Sequence, residues 1–186
     1  MSRSLKFIFT VMLLAHGAFG EDIISENQQI MIDSKEIGQI YKGAEVINEG
    51  SGYKIKGYVM SGNEYMLFYS NENRIRLARI KDEFTGFYKV ISQSQDVYGV
   101  KWKEVELTFN LKDGGKIAPK NTNIWAKEEE LYQRCGSCHA SFHAEEYTVN
   151  QWPNVIKTMS ERSGLTKDET RSVGAYMQYL ALKHHK

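Results

Sequence analysis

The sequence predicts an α+β protein in which a small antiparallel β domain precedes an all-α domain. Between Ala44 and Leu111 apolar residues alternate with polar ones, as in half-buried strands, and after residue 123 they recur at helical spacing. The pentapeptide Cys135-Gly136-Ser137-Cys138-His139 lies in the helical part and holds both cysteines of the chain. The expected segments are a leader over 1–20, a lead-in over 21–43, a β-rich domain over 44–115, a linker over 116–123 and a helical domain over 124–186.

The first twenty residues have the pattern of a secretory signal peptide. Arg3 and Lys6 precede an apolar run from Phe7 to Ala15, and the small residues of Ala18-Phe19-Gly20 follow. An uncleaved membrane anchor is the alternative, but the apolar run is too short to span a bilayer. We expect export, cleavage near Gly20 and no stable membrane insertion afterwards.

The charge balance gives no indication of a nucleic-acid partner. The chain has 24 basic and 23 acidic residues, a net charge of +1, and loss of Arg3 and Lys6 with the leader would change this to −1. Nucleic-acid binding usually needs a basic surplus, so no nucleic-acid partner is expected.

The β-rich domain is expected to contain six short strands separated by turn residues. They centre on Val46-Ile47, Tyr53–Met60, Tyr65–Tyr69, Ile75–Ile80, Phe87–Ile91 and Trp102–Phe109. Six strands with tight turns favour a small barrel or sandwich, and an SH3-like barrel is the specific prediction. The lead-in, by contrast, is expected to be loosely structured, with at most one short strand or helix.

Three helices are expected after the linker. The first is capped by Asn121 or Asn123 and leads to the cysteines. The second contains Trp152 and Met159, with Asn150 favoured as its cap over the Thr148-x-x-Gln151 capping box, and it stops at Gly164. The third begins with the capping box Thr166-x-x-Glu169, and its apolar stripe is Val173, Tyr176, Met177 and Leu180.

The motif Cys-x-x-Cys-His is the attachment signature of a c-type haem. Cys135 and Cys138 would form thioethers with the porphyrin, and His139 would be the proximal iron ligand. A redox dithiol would need a βαβ context, and structural zinc would need a second ligand pair, and neither pattern is found nearby. We therefore expect one covalent haem c, an all-α domain of the class I-like cytochrome c type, and a periplasmic location, where this haem is attached.

Several side chains are candidates for the distal iron ligand. Met159 is favoured because it lies near a helix end before a glycine-containing loop, although it could instead pack beneath the haem. Met177 lies within an apolar stripe, where ordinary core packing is the simpler explanation. His143 is close to His139 in sequence, and His184 and His185 are terminal, so these three are less suited.

The helical part resembles the C-terminal monohaem domain of the pentahaem c-type cytochromes that serve periplasmic trimethylamine N-oxide reductases. The similar stretches are Leu131–His139, Tyr147-Thr148-x-x-Gln151-Trp152-Pro153, Met159, Gly164-Leu165 and Tyr179-Leu180, and more weakly Lys42–Val46 and the strand with Trp102. The resemblance makes Cys135 and Cys138 the covalent attachments, His139 the proximal ligand and Met159 the matching distal position.

The resemblance also implies a function as an electron carrier rather than an enzyme. Its acceptor would be a periplasmic molybdopterin-dependent reductase of N-oxides or S-oxides, such as trimethylamine N-oxide or dimethyl sulfoxide. The tetrahaem part of that family has no counterpart in this sequence, so a membrane quinol dehydrogenase or another cytochrome is expected as donor. The alternatives are a haem enzyme or gas sensor with an open or displaceable sixth ligand, and a β domain that docks the partner.

Overall fold

The computed structural model describes residues 21–137 and 140–184. In these residues the chain forms ten strands and three α-helices. The strands are β1 (Glu21–Ile24), β2 (Gln28–Ile32), β3 (Lys35–Ile40), β4 (Glu45–Asn48), β5 (Tyr53–Met60), β6 (Asn63–Phe68), β7 (Arg76–Ile80), β8 (Lys89–Gln95), β9 (Lys101–Leu111) and β10 (Ile117–Pro119). The helices are α1 (Ala126–Gln133), α2 (Trp152–Ser163) and α3 (Lys167–His184).

Six of the strands close into an antiparallel barrel. Their order is β5, β6, β7, β3, β2 and β9, and β9 pairs back onto β5 from Tyr53↔Phe109 to Met60↔Trp102. The remaining strands extend the sheet, with β4, β1 and β10 beyond β5 and β8 beside β9. Closure hides the long edges of β5 and β9 and places their alternate apolar residues inside.

The expected fold class is wrong. The prediction was α+β, with a small SH3-like barrel followed by an all-α class I-like cytochrome c domain, whereas the protein is mostly β. The barrel is a closed six-stranded one with four additional strands, and α1 and α2 have only 8 and 12 residues. The physical reason is that strands outside 44–115 join the sheet, so most of the chain is needed to build one β core.

The lead-in accounts for most of this error. Instead of being loosely structured it contains β1, β2 and β3, and Ile30, Ile37 and Ile40 are fully buried in the barrel core. The structure does have a strand at each of the six predicted positions, but two of these strands, β4 and β8, lie outside the barrel. Residues of β2 and β3 take their places in the closed wall.

The helix ends agree with local signals at two places and differ at a third. Gly164 ends α2 in the left-handed conformation, with φ of 69°. Thr166 and Glu169 form the predicted capping box before α3, through reciprocal bonds of 2.9 and 3.2 Å. Asn150 does not cap α2, because its side chain bonds the backbone of Glu72 and Arg74 in the barrel. None of the helices in the described residues is long and apolar enough to cross a membrane.

Candidate haem site

The predicted attachment motif begins directly after α1. A 3-10 turn, Arg134–Ser137, continues the helix and contains Cys135. Cys138 and His139, the second predicted attachment point and the predicted proximal ligand, lie outside the described residues.

The thiol of Cys135 is buried in an apolar cluster. The residue is 6% exposed and shares this cluster with Leu131, Trp152, Ile156 and Val173, which come from all three helices. Burial raises the pKa of the thiol, and a hydrogen bond with the Ser163 side chain partly offsets this. At neutral pH Cys135 is accordingly a protonated, weakly nucleophilic thiol.

The structure brings the helix face that carries Met159 to Cys135. Met159 lies four residues before Ser163 on α2, so the two side chains share one face of that helix. Met159 is half-buried and packs against the cluster that contains Cys135. This placement is compatible with its predicted role, which remains a prediction because the described residues do not include His139.

The other candidates for the distal ligand occupy different positions. Met177 is 1% exposed in the middle of α3, in the same cluster, where it packs among apolar side chains. His143 is exposed and starts the short 3-10 turn Ala144–Glu146. His184 is exposed at the end of α3, and His185 lies outside the described residues.

Four aromatic side chains, Tyr132, Phe142, Tyr147 and Trp152, form an aromatic wall that holds the segment after the motif. Trp152 packs edge-on against Tyr132 and Tyr147, with ring centroids 6.3 and 5.2 Å apart, and Phe142 packs edge-on against Tyr147 at 5.2 Å. The Trp152 indole donates to the Ala144 carbonyl at 3.0 Å, and the Tyr132 hydroxyl donates to the Phe142 carbonyl at 2.6 Å. Residues 142–147 are thereby tied to α1 and α2 just after His139.

One member of this wall, Phe142, was not identified from the sequence. It has no helical spacing to mark it, although the aromatic density just after the motif is a usable signal. Burial raises the pKa of Tyr132 to about 12, so its hydroxyl stays protonated and can donate at any physiological pH.

The residues present fit a c-type haem. A porphyrin is largely apolar and needs a water-poor wall, which the aromatic and aliphatic side chains around Cys135 provide. Cys135 supplies one of the two thiols that covalent attachment requires, and Met159, which packs against the same cluster, supplies a thioether suited to distal ligation. The redox-dithiol alternative is disfavoured because the described strands pair only antiparallel and because Cys135 has a raised rather than a lowered pKa.

Cys135 should therefore react slowly with thiol reagents in haem-free protein. In a Cys138→Ser variant prepared without haem, we expect alkylation at pH 7 to be at least roughly tenfold slower in the folded state than in urea, because burial shields the thiol and raises its pKa. Timed iodoacetamide labelling followed by mass spectrometry measures this ratio. Equal rates in the two states would contradict a buried, inert thiol and reopen the dithiol alternative.

The helices are fixed to the barrel through a buried ion pair and a close backbone contact. Lys42, between β3 and β4, donates to Glu128 of α1 at 2.8 Å, and the Ser172 hydroxyl of α3 donates to the same carboxylate at 2.6 Å. The neighbouring Gly43 lies directly against the rings of Trp125 and Tyr179. Because α1 carries Cys135 at its end, this contact sets the position of the candidate haem site on the barrel.

Two curated proteins are similar to this chain. Both are named cytochrome c-type protein TorY: the one from Escherichia coli O157:H7 is 33% identical over 129 residues, and the one from Haemophilus influenzae is 29% identical over 126 residues. The chain is related to cytochrome c-type proteins. The matches cover 68% and 67% of this chain but only 35% and 34% of those proteins, so the chain spans about a third of their length.

The name cytochrome c-type describes proteins that carry haem c, and the Cys135–His139 motif of this chain is the attachment signature of the same cofactor. No family model matches the chain, and no solved structure matches it.

Proposed function

We propose that this chain is a periplasmic c-type cytochrome with one haem that passes electrons to a molybdopterin-dependent reductase of N-oxides or S-oxides in anaerobic respiration. The observation that carries the proposal is a haem-attachment motif whose first cysteine lies in an apolar, aromatic cluster, in a chain related to cytochrome c-type proteins. Trimethylamine N-oxide and dimethyl sulfoxide are the substrates of the acceptor suggested by the resemblance around the motif.

In this proposal each site residue has a separate task. Cys135 and Cys138 hold the haem covalently, and His139 and Met159 ligate its iron. When bound, haem c would supply a one-electron Fe(III)/Fe(II) couple, and a thioether ligand from Met159 together with the imidazole of His139 would raise its potential. Trp152, Tyr132 and the apolar side chains around Cys135 exclude water from the cluster, which also disfavours the more highly charged oxidised state.

The electron donor is proposed to be a membrane quinol dehydrogenase or another cytochrome, and the location is the periplasm after removal of residues 1–20. The cysteine motif supports this location, since c-type haem is attached outside the bacterial plasma membrane, and so does the signal-like pattern of the leader. Electron carriers bind their partners weakly and briefly, so no stable complex with the reductase is expected.

Replacement of Met159 by leucine tests the distal ligand. Leucine keeps the side-chain volume but removes the sulfur, so we expect Met159→Leu to lose the weak charge-transfer band of iron–methionine ligation and to bind carbon monoxide when reduced. Optical spectra of the oxidised, reduced and carbon monoxide-treated protein measure both properties. Met177→Leu is the matched control, because it removes the other methionine sulfur of the cluster and should leave both properties unchanged.

The same spectra separate electron transfer from ligand binding. A wild-type protein that ignores carbon monoxide supports the carrier function, whereas one that binds it readily supports a haem enzyme or gas sensor with an open sixth position. Loss of the charge-transfer band in Met177→Leu instead of Met159→Leu would identify Met177, on α3, as the distal ligand.

A further inference from the structure

The exposed apolar side chains of this protein are concentrated in one short segment. Among the described residues, the large apolar side chains that are exposed all lie between residues 87 and 98. They are Phe87, Val90, Ile91, Val97 and Tyr98, and the last two are 93% and 84% exposed. Clustered apolar exposure on a surface that is otherwise polar commonly marks a site of protein association.

The strand in this segment has a free edge. β8 is the last strand of the sheet, pairs with β9 on one side only, and all seven of its residues are exposed. Edge strands are usually protected by charges, proline or bulges, and of these β8 has a single charge, Lys89, at its beginning and one bulge. A bulge lies between Val90 and Ser92, and the strand continues in regular pairing to Gln95.

The turn that follows β8 is rigid, although its apolar side chains are exposed. The Asp96 carboxylate accepts hydrogen bonds from the backbone N–H of Tyr98 and Val100 at 2.9 and 3.0 Å. It also accepts one from the Trp102 indole at 3.0 Å. Val97 and Tyr98 are thus presented on an ordered turn, so their association with another surface would cost little backbone entropy.

We propose that two copies of this chain associate by antiparallel pairing of their β8 strands about a two-fold axis at Ser92. The register follows from the strand itself, since Ser92 is the midpoint of Lys89–Gln95 and full overlap of two identical strands places each Ser92 opposite the other.

This register makes the exposed segment complementary to itself. Phe87, in the 3-10 helix Asp82–Phe87 before β8 of one copy, and Val97, in the turn after β8 of the other, come to the same end of the ribbon, where exposed apolar side chains of the two copies meet. Lys89 falls opposite Gln95, which keeps the two lysines apart and avoids like charges across the pair. The seven-residue strand is small against the roughly 800 Å² per partner of stable complexes, so the association should depend on protein concentration.

Cysteine substitution tests the register directly. In directly opposite positions of an antiparallel pair the Cα atoms lie about 4.5–5.5 Å apart, which a disulfide can bridge. Ser92→Cys is therefore expected to form a disulfide-linked dimer on mild oxidation. Ser94→Cys is the matched control on the same strand, because it falls opposite Val90 and its two copies lie roughly 13 Å apart.

Non-reducing gels and mass spectrometry of the full-length protein measure the result. We expect at least roughly tenfold faster dimer formation in Ser92→Cys than in Ser94→Cys, with the wild type giving the background from its own cysteines. Equal rates in the two variants, or no dimer in either, would overturn the proposed pairing.

Sedimentation velocity provides a measurement that does not depend on cysteines or on the haem. The wild type should show an average mass that rises with concentration, and Ile91→Lys should remain monomeric because it adds a charge to the paired edge. Thr108→Lys, at an exposed position of β9 beyond the β8 pairing, should behave as the wild type. A wild type that is monomeric at all concentrations, or equal effects of the two lysines, would rule the dimer out.

Discussion

Replacement of Gly43 by alanine is expected to lower the free energy of unfolding by about 3 kcal/mol. Gly43 has φ of +91°, and an added Cβ would lie 2.5 Å from Cε2 of Tyr179 and 2.7 Å from Cζ2 of Trp125. Both rings would have to move, and they pack on each other with centroids 5.4 Å apart. The substitution therefore combines backbone strain with a clash at the contact between barrel and helices.

Gly62→Ala is the matched control. Gly62 also has a positive φ, +83°, but no atom would lie within 4 Å of its added Cβ, so it should cost only the backbone strain of about 1 kcal/mol. Urea unfolding of both variants with unchanged m-values measures the difference. Equal losses would mean that the close contact of Gly43 with the two rings has no energetic importance.

Replacement of Lys42 by methionine is expected to cost about 3 kcal/mol, because it leaves the Glu128 carboxylate buried without its cation. The side chains of Lys42 and Glu128 are 16% and 5% exposed, and the ammonium also lies 5.0 Å from the centre of the Trp125 ring. Methionine keeps the length of the lysine stem, so the loss would be electrostatic. Denaturant unfolding of the single variant gives this value.

A double-mutant cycle separates the pair from its surroundings. Lys42→Met combined with Glu128→Leu should recover about 2 kcal/mol of the summed single losses, since neither buried charge is then left alone. Lys116→Met is the control, because Lys116 and Glu26 form an ion pair whose side chains are 65% and 58% exposed, and its loss should be below about 1 kcal/mol. Additive losses at Lys42 and Glu128 would show that the two charges stabilise the fold independently.

Gly43→Ala and Lys42→Met also test whether the position of the candidate haem site depends on its contact with the barrel. Glu128 and Trp125 lie at the start of α1, and Cys135 follows its end, so a shift of α1 would reach the attachment motif. Deletion of residues 21–115 would remove Lys42 and expose the rings that pack on Gly43, so it would disturb the candidate haem site as well as remove the β strands.

The strands and helix ends were predictable where the signals are local. Alternation of apolar and polar residues located six strands, and Gly164 and the pair Thr166 and Glu169 located two helix boundaries. Strand order was not predictable in the same way. β2 and β3 are short, and the alternation in them is too brief to reveal that Ile30 and Ile37 close a barrel with β7 and β9.

The candidate haem site likewise has a part that was predictable from local sequence and a part that was not. The haem-attachment motif is contiguous, so the sequence by itself determined the chemistry to expect, and periodicity determined where most strands and helices form. Only the tertiary structure decided that six particular strands close into a barrel, that Lys42 is paired with a glutamate 86 residues away, and that the face of α2 with Met159 meets Cys135. The physical reason is that short-range patterns record burial and turns, whereas contacts between distant residues depend on which buried surfaces pack together.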